Sequence, residues 1–370
     1  MRNKRIALFL PSLAGGGAER SLINLSAALA EKAFAVDMVV ANAQGEYRSL
    51  LRDPVRLVDL EAGGTMASIP ALVRYLKTQH PDVIMAALDH ANIAAQIAVR
   101  IARTRTRTVI SVRNTASAES ACRSSRRRQV EVALARRLYP TADAVVTVSQ
   151  GVADDLAVYL RVPRERITVT YNPVVSDDLL RRCLEPSGHP WLDSASIPVV
   201  LAAGRLGDQK DYVTLLRAFK IVIDSHEARL VILGEGERRR QLETFIIENG
   251  MTHCVQLPGF CENPFAFMSR AAVFVLSSRH EGLPGVLIQA LASQCPVVST
   301  NCPSGPDEIL KGGLYGALVP VGDPPALAAA ILHKLSGPRE SPPPESWEPF
   351  TFDRSTERYL SALLPERSIK

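Results

Sequence analysis

The six cysteines, Cys122, Cys183, Cys254, Cys261, Cys295 and Cys302, form no Cys-x-x-Cys pair and no cluster with histidine at zinc spacing. That excludes a sequence-coded zinc site and leaves reduced, mostly buried thiols of a cytosolic protein as the expectation. Aromatic residues are scarce, at 5%, while Ala, Val, Leu and Ile abound. Parallel sheets covered by helices suit this mixture better than an all-β sandwich. No apolar run reaches the roughly 18 residues that span a bilayer, so membrane contact is expected to be peripheral. Ile6–Leu10 follows a basic start, but this run is short, meets Pro11 and leads into glycines. A buried first strand accounts for it better than an export signal. No Asp-x-Asp occurs anywhere, and the formal charge of +5 is a mild excess that assigns no partner.

What is present is an α/β pattern. The chain has 370 residues, 46% of them apolar, enough for two domains with their own cores. Short apolar runs alternate with longer helical patterns, the signature of βαβ units. Ile6–Leu10, Val36–Ala41, Val83–Ala86, Thr108–Val112 and Ala144–Val148 read as strands, with helices such as Glu19–Lys32 and Ile69–His80 between them. A second series holds Val199–Ala203, Arg229–Leu233, Val255–Leu257, Val273–Leu276 and Pro296–Ser299. The expected organisation is a Rossmann-like domain over 1–172, a proline-marked linker over 173–197, and a second Rossmann-like domain over 198–340. A helix at about 350–368 is expected to pack back onto the first.

Several strand-end loops suit an anionic ligand. The first strand runs into Gly15-Gly16-Gly17-Ala18-Glu19-Arg20. Glycines admit a ligand close to the backbone, and a following helix aims its N–H groups at negative charge. A dinucleotide fingerprint would need a third glycine at Arg20 and an acid ending the second strand, where Asp37 instead stands near its start. In the second series, Val199–Ala203 meets Gly204-Arg205-Leu206 with Gln209-Lys210 beyond. Arg205 and Lys210 are two cations at the carboxyl end of a parallel strand, where such sheets bind ligands. Gly234-Glu235-Gly236 and Gly259-Phe260 are further turns on that edge. Ser277 through Leu291 places Glu281 after a strand and a helix start around Gly282-Leu283-Pro284-Gly285. Eight residues of helix rise about 12 Å, so Glu281 could hold sugar hydroxyls and Gln289 ribose hydroxyls, with the helix dipole facing phosphates between them.

On these residues the chain resembles the retaining glycosyltransferases of the GT-B fold, family 4. Further stretches carry the likeness: Val148-Ser149-Gln150-Gly151-Val152, Asn172-Pro173, and Ser304-Gly305-Pro306 with Glu308-Ile309. The pattern is similar to bacterial enzymes of polysaccharide and lipid-linked oligosaccharide synthesis. The resemblance implies two Rossmann-like, doubly wound parallel-sheet domains facing across a cleft. It implies that Arg205 and Lys210 bind the donor diphosphate and that Glu281, the first acid of a Glu-x7-Glu motif, contacts the transferred sugar. Gly15–Gly17 would line the cleft near donor phosphate and acceptor, with Glu19 beside it. Gly204, Gly234, Glu235, Gly236 and Phe260 would surround the nucleotide, and Gly282–Gly285 the diphosphate.

Two departures stand out. Gln289 occupies the place of the second acid, and offers one acceptor and one donor group where a carboxylate offers only acceptors. Arg113 and Asn114 stand where many relatives carry a histidine, so either could take hydrogen bonds to donor or acceptor. His90 and His280 are read as structural. The expected reaction is metal-independent hexosyl or N-acetylhexosaminyl transfer with retention, from a nucleotide diphosphate sugar, first of all a UDP-sugar, without a cofactor. The arginine-rich stretch 100–137 contains Arg100, Arg103, Arg105, Arg107, Arg113, Arg123, Arg126, Arg127, Arg128, Arg136 and Arg137. Its part from Glu119 to Tyr139 reads as one amphipathic helix with Val130, Val132, Leu134 and Leu138 inward, suited to an anionic membrane surface and a polyprenyl-diphosphate-linked acceptor. This places the protein at the inner face of the cell membrane. No nucleic-acid motif accompanies the charge. The competing readings are a catalytically silent nucleotide-sugar-binding subunit of the same fold and a nucleotide-sugar epimerase.

Overall fold

The computed structural model describes residues 4–14, 16–122, 125–193 and 197–365. It divides into two compact units, Met1–Val174 with Phe350–Lys370, and Val175–Pro349.

The first unit runs β1 (Arg5–Leu10), α1 (Gly17–Glu31), β2 (Ala35–Val40), β3 (Arg56–Asp59), α2 (Ile69–Gln79), β4 (Val83–Ala87) and α3 (Asp89–Ala102). It continues with β5 (Arg107–Val112), α4 (Ala116–Cys122), α5 (Arg126–Leu138), β6 (Ala144–Thr147), α6 (Gln150–Tyr159) and β7 (Ile167–Val169). The seven strands form one parallel sheet in the order β3-β2-β1-β4-β5-β6-β7. Alternate residues of a strand face opposite sides. Accordingly Ile6, Leu8 and Leu10 join Leu22, Leu25 and Leu29 of α1 in one core, while Ala7 and Phe9 join Leu72, Leu76, Ala94 and Ala98 of α2 and α3 in another. Burial on both faces explains the unbroken apolar runs.

The second unit runs α7 (Asp177–Arg182), α8 (Pro190–Asp193), β8 (Val199–Ala203), α9 (Tyr212–Ile223), β9 (Arg229–Leu233), α10 (Arg239–Glu248) and β10 (Val255–Gly259). Then follow α11 (Pro264–Arg270), β11 (Val273–Leu276), α12 (Gly285–Ala292), β12 (Val297–Thr300), α13 (Pro306–Leu310), β13 (Ala317–Val319) and α14 (Pro324–Ser336). Its sheet, β10-β9-β8-β11-β12-β13, repeats the winding of the first. In both sheets the winding reverses beside the first strand, the point at which such sheets open a crevice at their carboxyl ends. The stretch 173–197, read above as a linker, carries α7 and α8 and from Val175 onward lies in the second unit.

The chain returns to the first unit as α15 (Phe352–Leu363), whose Tyr359 and Leu363 enter the α1-side core. The Val174 N–H donates to Phe350 O at 2.9 Å where the two passages meet.

Three strands were not foreseen. β3, β7 and β13 are three or four residues long, and β3 has no buried residue. Asp37 serves the sheet: Arg56 forks onto it at 2.6 and 2.9 Å, and the Tyr75 hydroxyl donates to it at 2.6 Å.

The expected single helix 119–139 is instead two. Ser125 caps α5 by accepting the Arg128 N–H. Val130 is 58% exposed, Ala135 is the buried residue of α5, and Val132, Leu134 and Leu138 are half-buried. The inward face carries Arg128, whose guanidinium donates to Asp89 at 2.6 Å. Arg123 and Gly15 lie outside the described residues.

Candidate functional site

The carboxyl end of the second sheet is laced together backbone to backbone. Gly204 N–H donates to Leu233 O at 2.9 Å, Leu206 N–H to Glu235 O at 2.9 Å, and Gly234 N–H to Gly259 O at 2.7 Å. Gly234 has φ +128°, and a Cβ there would collide with the Gly204 carbonyl. Glycine is thus required by backbone-on-backbone contact.

Within this frame the loop after β8 brings Lys210 back across Gly204, where an added Cβ would lie 3.0 Å from Lys210 Cε. Lys210 Nζ donates to Glu281 Oε1 at 2.7 Å, and Ser278 Oγ donates to the same oxygen at 2.7 Å. The Lys210 and Glu281 side chains are only 15% and 9% exposed. Ser277 Oγ donates to Lys210 O at 2.7 Å, and Gln209 Nε2 to His280 O at 2.8 Å, so the β8 and β11 loops are tied at several points. Glu281 N–H donates to Pro303 O at 2.7 Å, and Ser304 N–H to Glu281 O at 3.0 Å. The carboxylate therefore sits on a fixed backbone, with Oε1 doubly held and Oε2 outside both bonds.

This buried pair colours its neighbours. Burial, and then the Glu281 charge, push the Cys302 thiol up to about 12, so it stays protonated near neutrality. The same two causes, in the same order, raise the Tyr212 phenol well above its ordinary range. The Tyr212 hydroxyl is buried with no hydrogen-bond partner in the structure.

Arg205 stands on the same loop but outside the pair. Its side chain is 80% exposed, with Nε 3.8 Å from Glu237 Oε2. Exposed pairs of this kind contribute about 1 kcal/mol or less, so the guanidinium can swing to a ligand. Glu235 is held by Arg239 at 2.7 Å. Phe260 is 72% exposed at the end of β10.

α12 starts at Gly285, so residues 281–284 are loop and the helical path from Glu281 to Gln289 is shorter than expected. Gly282, Leu283 and Pro284 are buried, while Gly285 and Gln289 are half-buried. The first turn of α12 has no side-chain cap; Leu287 N–H donates to Pro284 O at 3.0 Å, and the Gly285 and Val286 N–H groups are left for a ligand or water.

In the first unit, α1 starts at Gly17 with Gly16 as its cap, and the Glu19 carboxylate folds back over Gly16. Arg113 is 6% exposed. It donates to Ser21 Oγ at 2.8 Å, Asn172 Oδ1 at 2.7 Å and the Tyr359 hydroxyl at 3.3 Å, which commits it to the interior. Asn114 donates to Glu119 at 2.8 Å. His90 has its basicity lowered by burial.

Sequence reasoning missed Ser278, whose only signal was a polar residue three places before Glu281. It also missed the Asp89–Arg128 pair. Among the described residues, no group of three or more His, Cys, Asp and Glu gathers as metal ligands, and no helix is long and apolar enough to cross a membrane.

Residues 15–178 match the family described as Glycosyltransferase Family 4, and residues 197–336 match Glycosyl transferases group 1. A similar protein is the N-acetylgalactosamine-N,N'-diacetylbacillosaminyl-diphospho-undecaprenol 4-alpha-N-acetylgalactosaminyltransferase of Campylobacter jejuni, 28% identical over 327 residues and 86% of each chain. Among solved structures, the lipopolysaccharide outer core galactosyltransferase WaaB in its apo form matches with TM-score 0.73 at 18% identity, over 97% of this chain and 98% of its own. HepE of Anabaena, in complex with UDP and glucose, matches with TM-score 0.73 at 20% identity, over 98% of this chain and 95% of its own. These structural likenesses establish the GT-B fold.

Proposed function

The chain belongs to the glycosyltransferases that join a family 4 domain to a group 1 domain, and we propose that it moves a hexosyl or N-acetylhexosaminyl group from a nucleotide diphosphate sugar, a UDP-sugar first, to a glycan or lipid-linked glycan in bacterial surface polysaccharide synthesis. The observation that carries this reading is the Lys210–Glu281 contact of 2.7 Å at the carboxyl end of the second sheet. One loop supplies cations for a diphosphate, and the next supplies a carboxylate for sugar hydroxyls. Lys210 and Arg205 engage the diphosphate, and the uncapped turn of α12 faces the charge that grows as it departs. Glu281 holds the hexose, and Gln289 the ribose. Phe260 offers an exposed ring beside the nucleotide.

Two cations and a helix start supply the charge that a metal would otherwise provide, so the transfer is read as metal-independent and cofactor-free. Transfer with retention breaks the bond from the anomeric carbon to the phosphate oxygen. It forms the bond to the acceptor oxygen on the same face. The acceptor's proton passes to the departing phosphate, and nucleoside diphosphate leaves.

The acceptor reading draws on the undecaprenyl-diphosphate-linked substrate in the name of the Campylobacter jejuni protein. It also draws on α5. Arg126, Val130, Ala133 and Arg137 are all exposed at helical spacing, and Arg127 lies beside them. Glu131 accepts from Arg127 at 3.2 Å and lies 3.6 Å from Arg128, so Arg126 and Arg137 carry most of the outward charge. This leaves an outward stripe of cations and small apolar groups, suited to anionic lipid at the inner face of the cell membrane.

Incubating the purified chain with UDP-, GDP- and ADP-sugars and a polyprenyl-diphosphate-linked saccharide tests the reading. A glycosylated product is expected. Binding without turnover would select the silent-subunit alternative, and a changed sugar without acceptor the epimerase.

A further inference from the structure

Lys210 Nζ and Ser278 Oγ both donate to Glu281 Oε1 at 2.7 Å. On the reading proposed above, on which this inference rests, the lysine turns to the donor's diphosphate. Glu281 then loses its cation when it must be aimed at the sugar. We infer that Ser278 is a positioning residue for transfer: its hydroxyl keeps the Glu281 carboxylate oriented once Lys210 has left it for the diphosphate.

Three features support this. Ser278 has no solvent exposure, so its hydroxyl cannot trade Glu281 for water. Its own carbonyl accepts the Thr300 hydroxyl at 2.7 Å, which anchors the residue from a different strand. Lys210 is held independently, through its carbonyl, by Ser277 at 2.7 Å. The lysine ammonium can therefore move while the Ser278–Glu281 bond stays. A carboxylate in so dry a place with no remaining donor would be poorly solvated and free to turn. A short hydroxyl–carboxylate bond opposes both.

The role separates sugar from nucleotide. Ser278→Ala, in the full chain, is expected to lower kcat for nucleotide-sugar turnover about tenfold or more. UDP draws Lys210 from Glu281 as well but brings no sugar to be aimed at, so its affinity should fall by clearly less than kcat, with Tm near wild type. Ser278→Thr, which keeps the hydroxyl, should restore kcat. Should the alanine variant fail to fold, Ser278→Cys fills the space while donating weakly, and the same pattern, kcat falling clearly more than UDP affinity, is expected. Wild-type kcat in Ser278→Ala overturns the inference. So does a Ser278→Thr enzyme as slow as Ser278→Ala at equal Tm, or a loss shared equally by UDP affinity. A wild-type chain that turns over no nucleotide sugar overturns instead the donor reading beneath it.

Discussion

Lys210 and Glu281, 71 residues apart in the chain, meet at 2.7 Å with both side chains largely withdrawn from water. The pair satisfies two charges that would each be costly alone, and both belong to loops at the carboxyl end of one sheet. A buried charge stripped of its partner costs more than the pair's net contribution. Lys210→Met and Glu281→Gln should therefore each destabilise the protein by about 2–4 kcal/mol, and the double variant by clearly less than their sum. Urea denaturation of the three variants measures this, and strictly additive losses would show the two side chains to be energetically independent.

Gln289→Glu should tighten nucleoside diphosphate binding. A carboxylate accepts from both ribose hydroxyls, and the gain of about 1 kcal/mol corresponds to about fivefold in Kd. Calorimetry with UDP measures it. Unchanged or weaker binding would separate Gln289 from the ribose.

Arg113→Ala should lower the Tm by about 5–10 °C. The guanidinium joins Ser21, Asn172 and Tyr359, and so ties α1 and α15 to the end of β5. Among the described residues no carboxylate pairs with it. Arg113→Lys should not rescue, because an ammonium on a single stem cannot reproduce the fork. Differential scanning calorimetry decides, and a Tm unchanged in both variants would remove Arg113 from the list of interior ties.

Glutamate at Arg126, Arg127 and Arg137 together should abolish flotation with anionic vesicles and leave turnover on a soluble acceptor intact. The wild-type chain should float with anionic but not neutral vesicles, less so at high salt. Equal recovery with both vesicle types would contradict electrostatic docking.

The sheets were legible because strands covered on both faces read as unbroken apolar runs, as in Ile6–Leu10 and Val199–Ala203. β3, β7 and β13 were not, being three or four residues long and set toward sheet edges. The start of α5 escaped notice although its Ser125 cap is a local signal, whereas the inward turn of Arg128 to Asp89 is not local. The candidate site was legible in its parts. Strand-end glycines, Arg205, Lys210 and Glu281 each carry a local signal. Their joining is not local: nothing near Lys210 announces Glu281, and nothing near Gly234 announces the Gly204 carbonyl against which it packs. Arg113 was legible as a cation at a strand end, but its three partners come from residues 21, 172 and 359.

The most direct measurement is a calorimetric titration of nucleoside diphosphates in EDTA, with the wild-type chain against Arg205→Ala and Lys210→Ala. The account predicts metal-free binding of one nucleotide, UDP first, and a loss of about tenfold or more in each variant. Binding that needs added magnesium, or that survives both substitutions unchanged, would contradict it.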